Sequence, residues 1–179
     1  IIKNNLDFSS NNNKLLLGNN DLTFENSATV SGFDDDEYLV TNGVGQVLKK
    51  DLSNFTFPIG YDTTSFNPLT LTESGTADTL GVRCLEHALD SGSSGAPFTN
   101  QVVVDASWEI TEATVGGSNL TITAQWSGGD ELTDFDRSYC GLSRYSSTGW
   151  DLTVSKTTAA SGSNPYTQTR TGIDSTGIF

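Results

Sequence analysis

Val102-Val-Val-Asp-Ala-Ser-Trp-Glu-Ile-Thr-Glu112 and, a few residues later, Leu120-Thr-Ile-Thr-Ala-Gln-Trp126 decide the fold class of this chain. Val102, Val104, Ala106, Trp108 and Ile110 alternate with Val103, Asp105, Ser107, Glu109 and Thr111. Leu120, Ile122, Ala124 and Trp126 alternate with Thr121, Thr123 and Gln125. A side-chain period of two is the mark of a strand with one face buried. Between the runs, Gly116 and Gly117 supply the backbone freedom that reversing the chain requires. The pattern predicts an antiparallel β protein with one wet face.

Composition agrees with that reading and removes several functions. The 179 residues suit one ordinary domain or a domain with a short appended module. With 22 acidic against 9 basic residues the formal charge is −13, a field that repels phosphate backbones and anionic membranes. Nucleic acid is therefore excluded as an expected partner. Direct membrane insertion is excluded too, since no apolar run approaches the ~20 residues of a spanning helix. Polarity comes mostly from Thr, Ser, Asn and Gly, the residues of exposed strands and turns. The chain starts Ile1-Ile-Lys-Asn and contains no Met, which predicts a mature or excised piece of a longer precursor.

Residues 1–45 read differently from residues 46–179. Leu6 and Phe8, Leu15 and Leu17, Leu22 and Phe24, and Thr29 to Ser31 are very short beads, divided by Asn-rich corners such as Asn11-Asn-Asn13 and Asn19-Asn20-Asp21. They recur every seven to nine residues. Such spacing suits either a tight β-meander or two or three rungs of a β-solenoid, with Asn tolerating left-handed corners. This segment is expected to serve as a cap or assembly arm. From residue 46 onward the beads lengthen into nine expected strands: 46–50, 55–59, 69–72, 79–87, 102–112, 120–126, 138–145, 150–155 and 167–171. Turn clusters such as Pro58-Ile-Gly60 and Ser127-Gly-Gly-Asp130 separate them. Many short strands at this spacing predict an all-β antiparallel sandwich, Ig-like or jelly-roll-like. Leu85 to Leu89 is the one stretch expected to form a helical turn.

Candidate chemistry is sparse. His87 is the single histidine, so three-His and zinc-finger sites are excluded by count, and no Gly-x-Ser-x-Gly elbow accompanies it. The chain is expected not to be an enzyme, with no catalytic residue assigned. Asp130, Glu131, Asp134 and Asp136 cluster between two strands and are the candidates for calcium, which needs six or more oxygens; a solvated acidic turn is the competing outcome. No other cofactor is expected. Cys84 and Cys140 both sit in strand-like surroundings, and two readings stand: two buried thiols, or a bridge across the sandwich. A bridge would close about 57 residues and contribute roughly 4 kcal/mol on the chain-entropy model. Trp108 and Trp126 share a face with Ile110 and Ile122, which predicts core positions; Trp150 follows a turn and is the exposed candidate.

Tyr38-Leu-Val-Thr-Asn-Gly-Val-Gly45, Phe55-Thr-Phe-Pro-Ile-Gly60, Asn67-Pro-Leu-Thr-Leu-Thr72, Ser74-Gly-Thr-Ala-Asp-Thr79, Trp108-Glu-Ile-Thr-Glu-Ala113 and Ala124-Gln-Trp126 follow in one order. Together they resemble a β-rich domain of secreted, adhesin-like surface proteins of Bacteroidetes-type bacteria, usually found before a type IX secretion sorting tail. The resemblance spans roughly residues 6 to 179. It brings no catalytic residues to carry over. It implies an extracellular or cell-surface location and a structural or adhesive role, such as a subunit of a filament or surface assembly. The implied partners are copies of itself or other surface proteins, met by strand addition, and glycans. In that oxidising setting Cys84 and Cys140 are expected to form a disulfide. The resemblance also suggests O-glycosylation at Thr63, Thr79 and Ser175, each preceded by Asp. The alternative function is a carbohydrate-binding accessory module of a secreted polysaccharide-degrading enzyme, which an exposed row of aromatic residues would favour.

Overall fold

The computed structural model describes residues 1–9, 12–99, 102–151 and 157–179. Its first sixty residues wind as a coil. The strands β1 (Asn5–Asp7), β2 (Leu15–Leu16), β3 (Leu22–Phe24), β4 (Thr29–Ser31), β5 (Leu39–Val40), β6 (Val47–Lys49), β7 (Asn54–Phe57) and β8 (Ile59–Gly60) follow one another. β1, β2, β3 and β5 each pair in parallel with the bead one coil later. Asn5 lies beside Thr29 and Leu15 beside Leu39, both 24 residues on, while Leu22 lies beside Val47, 25 residues on. β5 then pairs in parallel with β8. A meander would have made these neighbours antiparallel, so the beads stack as rungs of a solenoid-like coil with three beads to a turn. Close stacking explains the corner glycines, since a Cβ on Gly43 or Gly45 would run into the backbone of Gly18 or Asn20 in the rung before. The segment Pro58-Ile-Gly60, expected as a turn, instead supplies the third strand of this ladder.

The longer strands are β9 (Leu69–Glu73), β10 (Leu80–Glu86), β11 (Ala106–Glu112) and β12 (Leu120–Trp126), followed by the short pieces β13 (Tyr145–Ser146), β14 (Gly149–Trp150) and β15 (Ser161–Gly162), then β16 (Tyr166–Ile173) and β17 (Gly177–Ile178). A seven-stranded sheet runs β14-β13-β17-β11-β10-β6-β3 and a five-stranded sheet runs β15-β16-β12-β9-β7. The inner residues of both belong to one hydrophobic core, in which Phe24, Val82 and Ile110 from the first sheet meet Phe57, Leu71 and Ile122 from the second. The protein is thus all-β and sandwich-like, with no closed sheet.

Alternation held where it was clearest. In β12 Leu120, Ile122, Ala124 and Trp126 are buried while Thr121, Thr123 and Gln125 are half-buried. On the outer face Thr56 and Thr70, and Thr123 and Thr169, join hydroxyls across strands at 2.9 and 2.8 Å. Other strands shifted. β11 starts at Ala106, and Val104 makes only an isolated bridge to Glu131. Of the stretch expected at 138–145 only Tyr145 is in a strand. Of the strand expected at 150–155, Trp150 lies in β14 and residues 152–155 lie outside the described residues. Leu85 to Leu89 is no helical turn: β10 continues to Glu86, and His87 reverses the chain at φ +70°. The one helical turn among the described residues is a 3-10 turn at Gly128–Asp130, where Ser127 and Asp130 form a reciprocal cap.

The disulfide expected between Cys84 and Cys140 is not formed; both thiols are free and buried. Each has its own surroundings. Cys84 lies mid-strand opposite Trp108 in the seven-stranded sheet, with its backbone N–H and C=O both bonded to the Thr41 hydroxyl. Cys140 lies outside any strand, bridged to Thr158 and touching Gln168 of the five-stranded sheet. Burial pushes both thiols above the ordinary cysteine range, so each is a poor nucleophile for oxidation or exchange.

Two outcomes follow from this packing. Alkylation in denaturant without reductant should label two thiols per chain by intact mass, and a chain that takes up label only after reduction would contradict the free pair. Trp108 is 3 % exposed, and its indole N–H donates to the carbonyl of fully buried Asn67 at 2.8 Å. Trp108→Ala should lower stability by about 3–5 kcal/mol, with a smaller loss for Trp108→Phe, measured by urea unfolding.

Candidate functional site

Among the described residues nothing covers the first rung of the solenoid-like coil. There β1 pairs only with β4, and β2 is the outer strand of the sheet β2-β5-β8. The N–H groups of Leu15 and Leu17 both donate inward, to the carbonyls of Tyr38 and Val40 at 3.0 and 2.9 Å. Because successive amides of a strand point to opposite sides, the backbone groups of Leu16 face away from the coil. The side chains here are apolar as well. Leu15 and Leu16 are 41 % and 52 % exposed, whereas Leu17 turns into the core. Three consecutive leucines in one bead cannot all face inward, and that run was the legible sign of this edge.

The corner of the rung is equally open. Gly18 adopts φ +56° and no atom lies within 4 Å of where a Cβ would stand, whereas the equivalent corner one coil later, at Gly43, is filled by Gly18 itself. Polar ladders tie the first two rungs together. Asn5 donates from its side-chain nitrogen to Ser31 Oγ at 2.9 Å and accepts from Thr29 Oγ1 at 2.8 Å. Asp7 accepts from Ser9, which holds its carboxyl below the ordinary range. Lys49, 4 % exposed, reaches from the third rung to the carbonyls of Glu25 and Asn26 at 2.7 and 2.5 Å, and burial lowers its pKa. Each rung therefore satisfies groups of its neighbour, and the first rung has a neighbour on one side only.

The residues singled out as calcium candidates do not converge. Asp130 accepts from Asn67 Nδ2 at 2.8 Å and from the backbone of Ser127 at 2.9 Å. Glu131 pairs with Arg137 and accepts from the Trp126 indole at 2.8 Å. Asp136 accepts from Ser138, and Asp134 sits at φ +72°. Among the described residues no group of three or more His, Cys, Asp or Glu side chains comes together. His87 Nδ1 lies 2.8 Å from Asp105 Oδ2, but the nearby Ser107 hydroxyl donates to the His87 carbonyl at 3.2 Å, so these three do not form a nucleophile-base arrangement.

Of the three glycosylation candidates, Thr63 is exposed in a turn closed by the Asp62 carboxylate, which accepts from Thr64 and Ser65. Thr79 and Ser175 are half-buried, and Ser175 donates to Asp174 at 3.0 Å. Trp108 and Trp126 are buried, and Trp150 is half-buried against Tyr145 with ring centroids 5.5 Å apart.

With this geometry as the basis, comparison with protein-family models, curated proteins and solved structures finds no match to the chain.

Proposed function

We propose that this protein is an extracellular structural or adhesive building block of a cell surface or matrix, and that it joins copies of itself, or similar surface proteins, by adding a parallel rung to the open edge of β1 and β2. One observation carries the reading: the outermost rung combines outward-facing backbone groups at Leu16 with two exposed leucines and an unfilled corner at Gly18. An exposed apolar edge is a template for strand addition, which satisfies its hydrogen bonds and covers its side chains in one step. The role is non-enzymatic. As a fold, we take the two facing sheets for an Ig-like or jelly-roll-like sandwich, supported by the antiparallel run β7-β9-β12-β16. Secretion and O-glycosylation rest on the motif resemblance, and exposed Thr63 is the best-placed acceptor. The sugar-binding alternative relied on an exposed row of aromatic rings, and the burial of Trp108 and Trp126 weakens it.

The test is the state of assembly. The purified protein should form ordered oligomers or filaments in electron micrographs and sediment above the monomer. Replacing both exposed leucines, Leu15→Lys with Leu16→Lys, should return it to monomers. The thermal midpoint should barely move, since exposed substitutions cost within about 0.5 kcal/mol. A wild-type protein that stays monomeric at every concentration, or a double variant that assembles like the parent, would overturn the proposal.

A further inference from the structure

A cleft of about 550 Å³ opens at one end of the sandwich, between β11 and β12. Its origin lies in the inward-facing positions of the two strands. Where Ile110 and Ile122 face inward farther along the strands, Ala106 opens β11 and Ala124 lies toward the end of β12, and both alanines are buried and line the cleft. Two small side chains on facing sheets leave the space that larger ones fill elsewhere. Trp108, Trp126 and Phe179 complete the inner wall, Trp150 adds a further ring, and exposed Val102 and Tyr139 stand at the mouth.

The described part of the wall offers little hydrogen bonding. Each tryptophan N–H that a ligand could use already donates within the protein: Trp108 to Asn67 O, Trp126 to Glu131 Oε1 and Trp150 to Leu89 O, at 2.8, 2.8 and 2.9 Å. The Ser107 hydroxyl donates to His87 O. Gln168, itself 8 % exposed, gives its amide hydrogens to the carbonyls of Cys140 and Thr158 and accepts from Thr169 N–H. Asp136, Tyr139, Ser143 and Thr157 are the remaining polar side chains of the described lining, too few for the many hydroxyls of a sugar, most of which would stay without partners. Water fares no better, because a buried water needs two to four polar partners. Charge narrows the choice further. Asp136 is the one charged residue among the described lining residues, in a chain of net −13, so a carboxylate or phosphate would be repelled.

We infer that this cleft is a binding site for a free, uncharged small molecule made largely of hydrocarbon, an alkyl chain or ring system. Its volume lies within the range of small-molecule sites and far above the voids that domain interiors leave empty. The site is separate from the open rung, and its occupancy is independent of assembly.

Titration with the uncharged fluorophore N-phenyl-1-naphthylamine should show saturable, one-to-one uptake. Decanol should displace the probe, decanoate should do so about tenfold less well at neutral pH, and a soluble cello-oligosaccharide should not. Ala124→Leu fills the cleft and should abolish uptake without lowering the thermal midpoint. Val102→Asp, a change at an exposed position of the mouth, should weaken uptake about tenfold even if the filled variant folds poorly. Absence of saturable uptake by the wild-type protein, displacement by the oligosaccharide, or wild-type uptake by the Val102→Asp variant would overturn the assignment.

Discussion

β6 is hydrogen-bonded on both sides: in parallel by β3 of the coil and antiparallel by β10 of the large sheet. The next strand, β7, crosses to the opposite sheet and pairs with β9, while β8 stays in the coil beside β5. The third rung is therefore shared out among three of the four sheets. That sharing makes the coil and the sandwich one hydrophobic unit. Phe24 of the second rung packs tilted against Phe55 with ring centroids 5.2 Å apart, and Phe55 meets Phe57 edge-on at 4.9 Å, so the interior of the coil continues into the space between the sheets. Tyr38, Leu39 and Val40 are fully buried although they precede the sandwich in sequence. Short strands are marginal alone, and here the larger sheets template them.

How much of this was legible depended on how local the causes were. β12 reads directly because its partners on either side, β9 and β16, impose the same alternation that the sequence displays. The bead spacing of residues 1–45 contained the coil but not the choice between rung and meander. Parallel or antiparallel pairing depends on where the chain returns, and seven- to nine-residue beads allow both. Pro58-Ile-Gly60 read as a turn because Pro and Gly usually punctuate chains. It is a strand because it pairs in parallel with Leu39 and Val40, and glycine is needed at 60 because a Cβ there would meet Ser65 and Tyr38, a constraint the local composition does not show.

The candidate sites were less legible for the same reason. Cys84 and Cys140 look like sandwich partners only if both lie in strands, and Cys140 does not. The acidic run at 130–136 looks like a cation site only if its carboxylates converge. Instead each is drawn to a different neighbour: Asn67, Arg137 or the adjacent backbone. Spacing along a chain shows which groups can meet, while competition from nearby donors decides which do. The cleft was hidden in a subtler way, since alanine obeys the inward pattern as well as leucine does. Only the coincidence of Ala106 and Ala124 on facing strands turns two ordinary residues into a cavity.

The open rung and the charge of −13 pull in opposite directions. Like-charged copies repel over about a Debye length, ~8 Å at physiological ionic strength, and much of the surface is acidic. The edge itself is close to neutral: Leu15, Leu16 and Gly18 carry no charge, and Asp7 on β1 is offset by Lys14 before β2. Lys14 is held in place, donating to the Asp36 carbonyl at 2.9 Å and lying over the Tyr38 ring. The densest acidic stretches, Asp34 to Glu37 and Asp130 to Asp136, lie in corners and loops, away from the open edge in sequence. Net repulsion suppresses indiscriminate sticking between copies, as natural edge strands require, and the proposed strand addition would have to overcome it at an edge that carries few charges of its own.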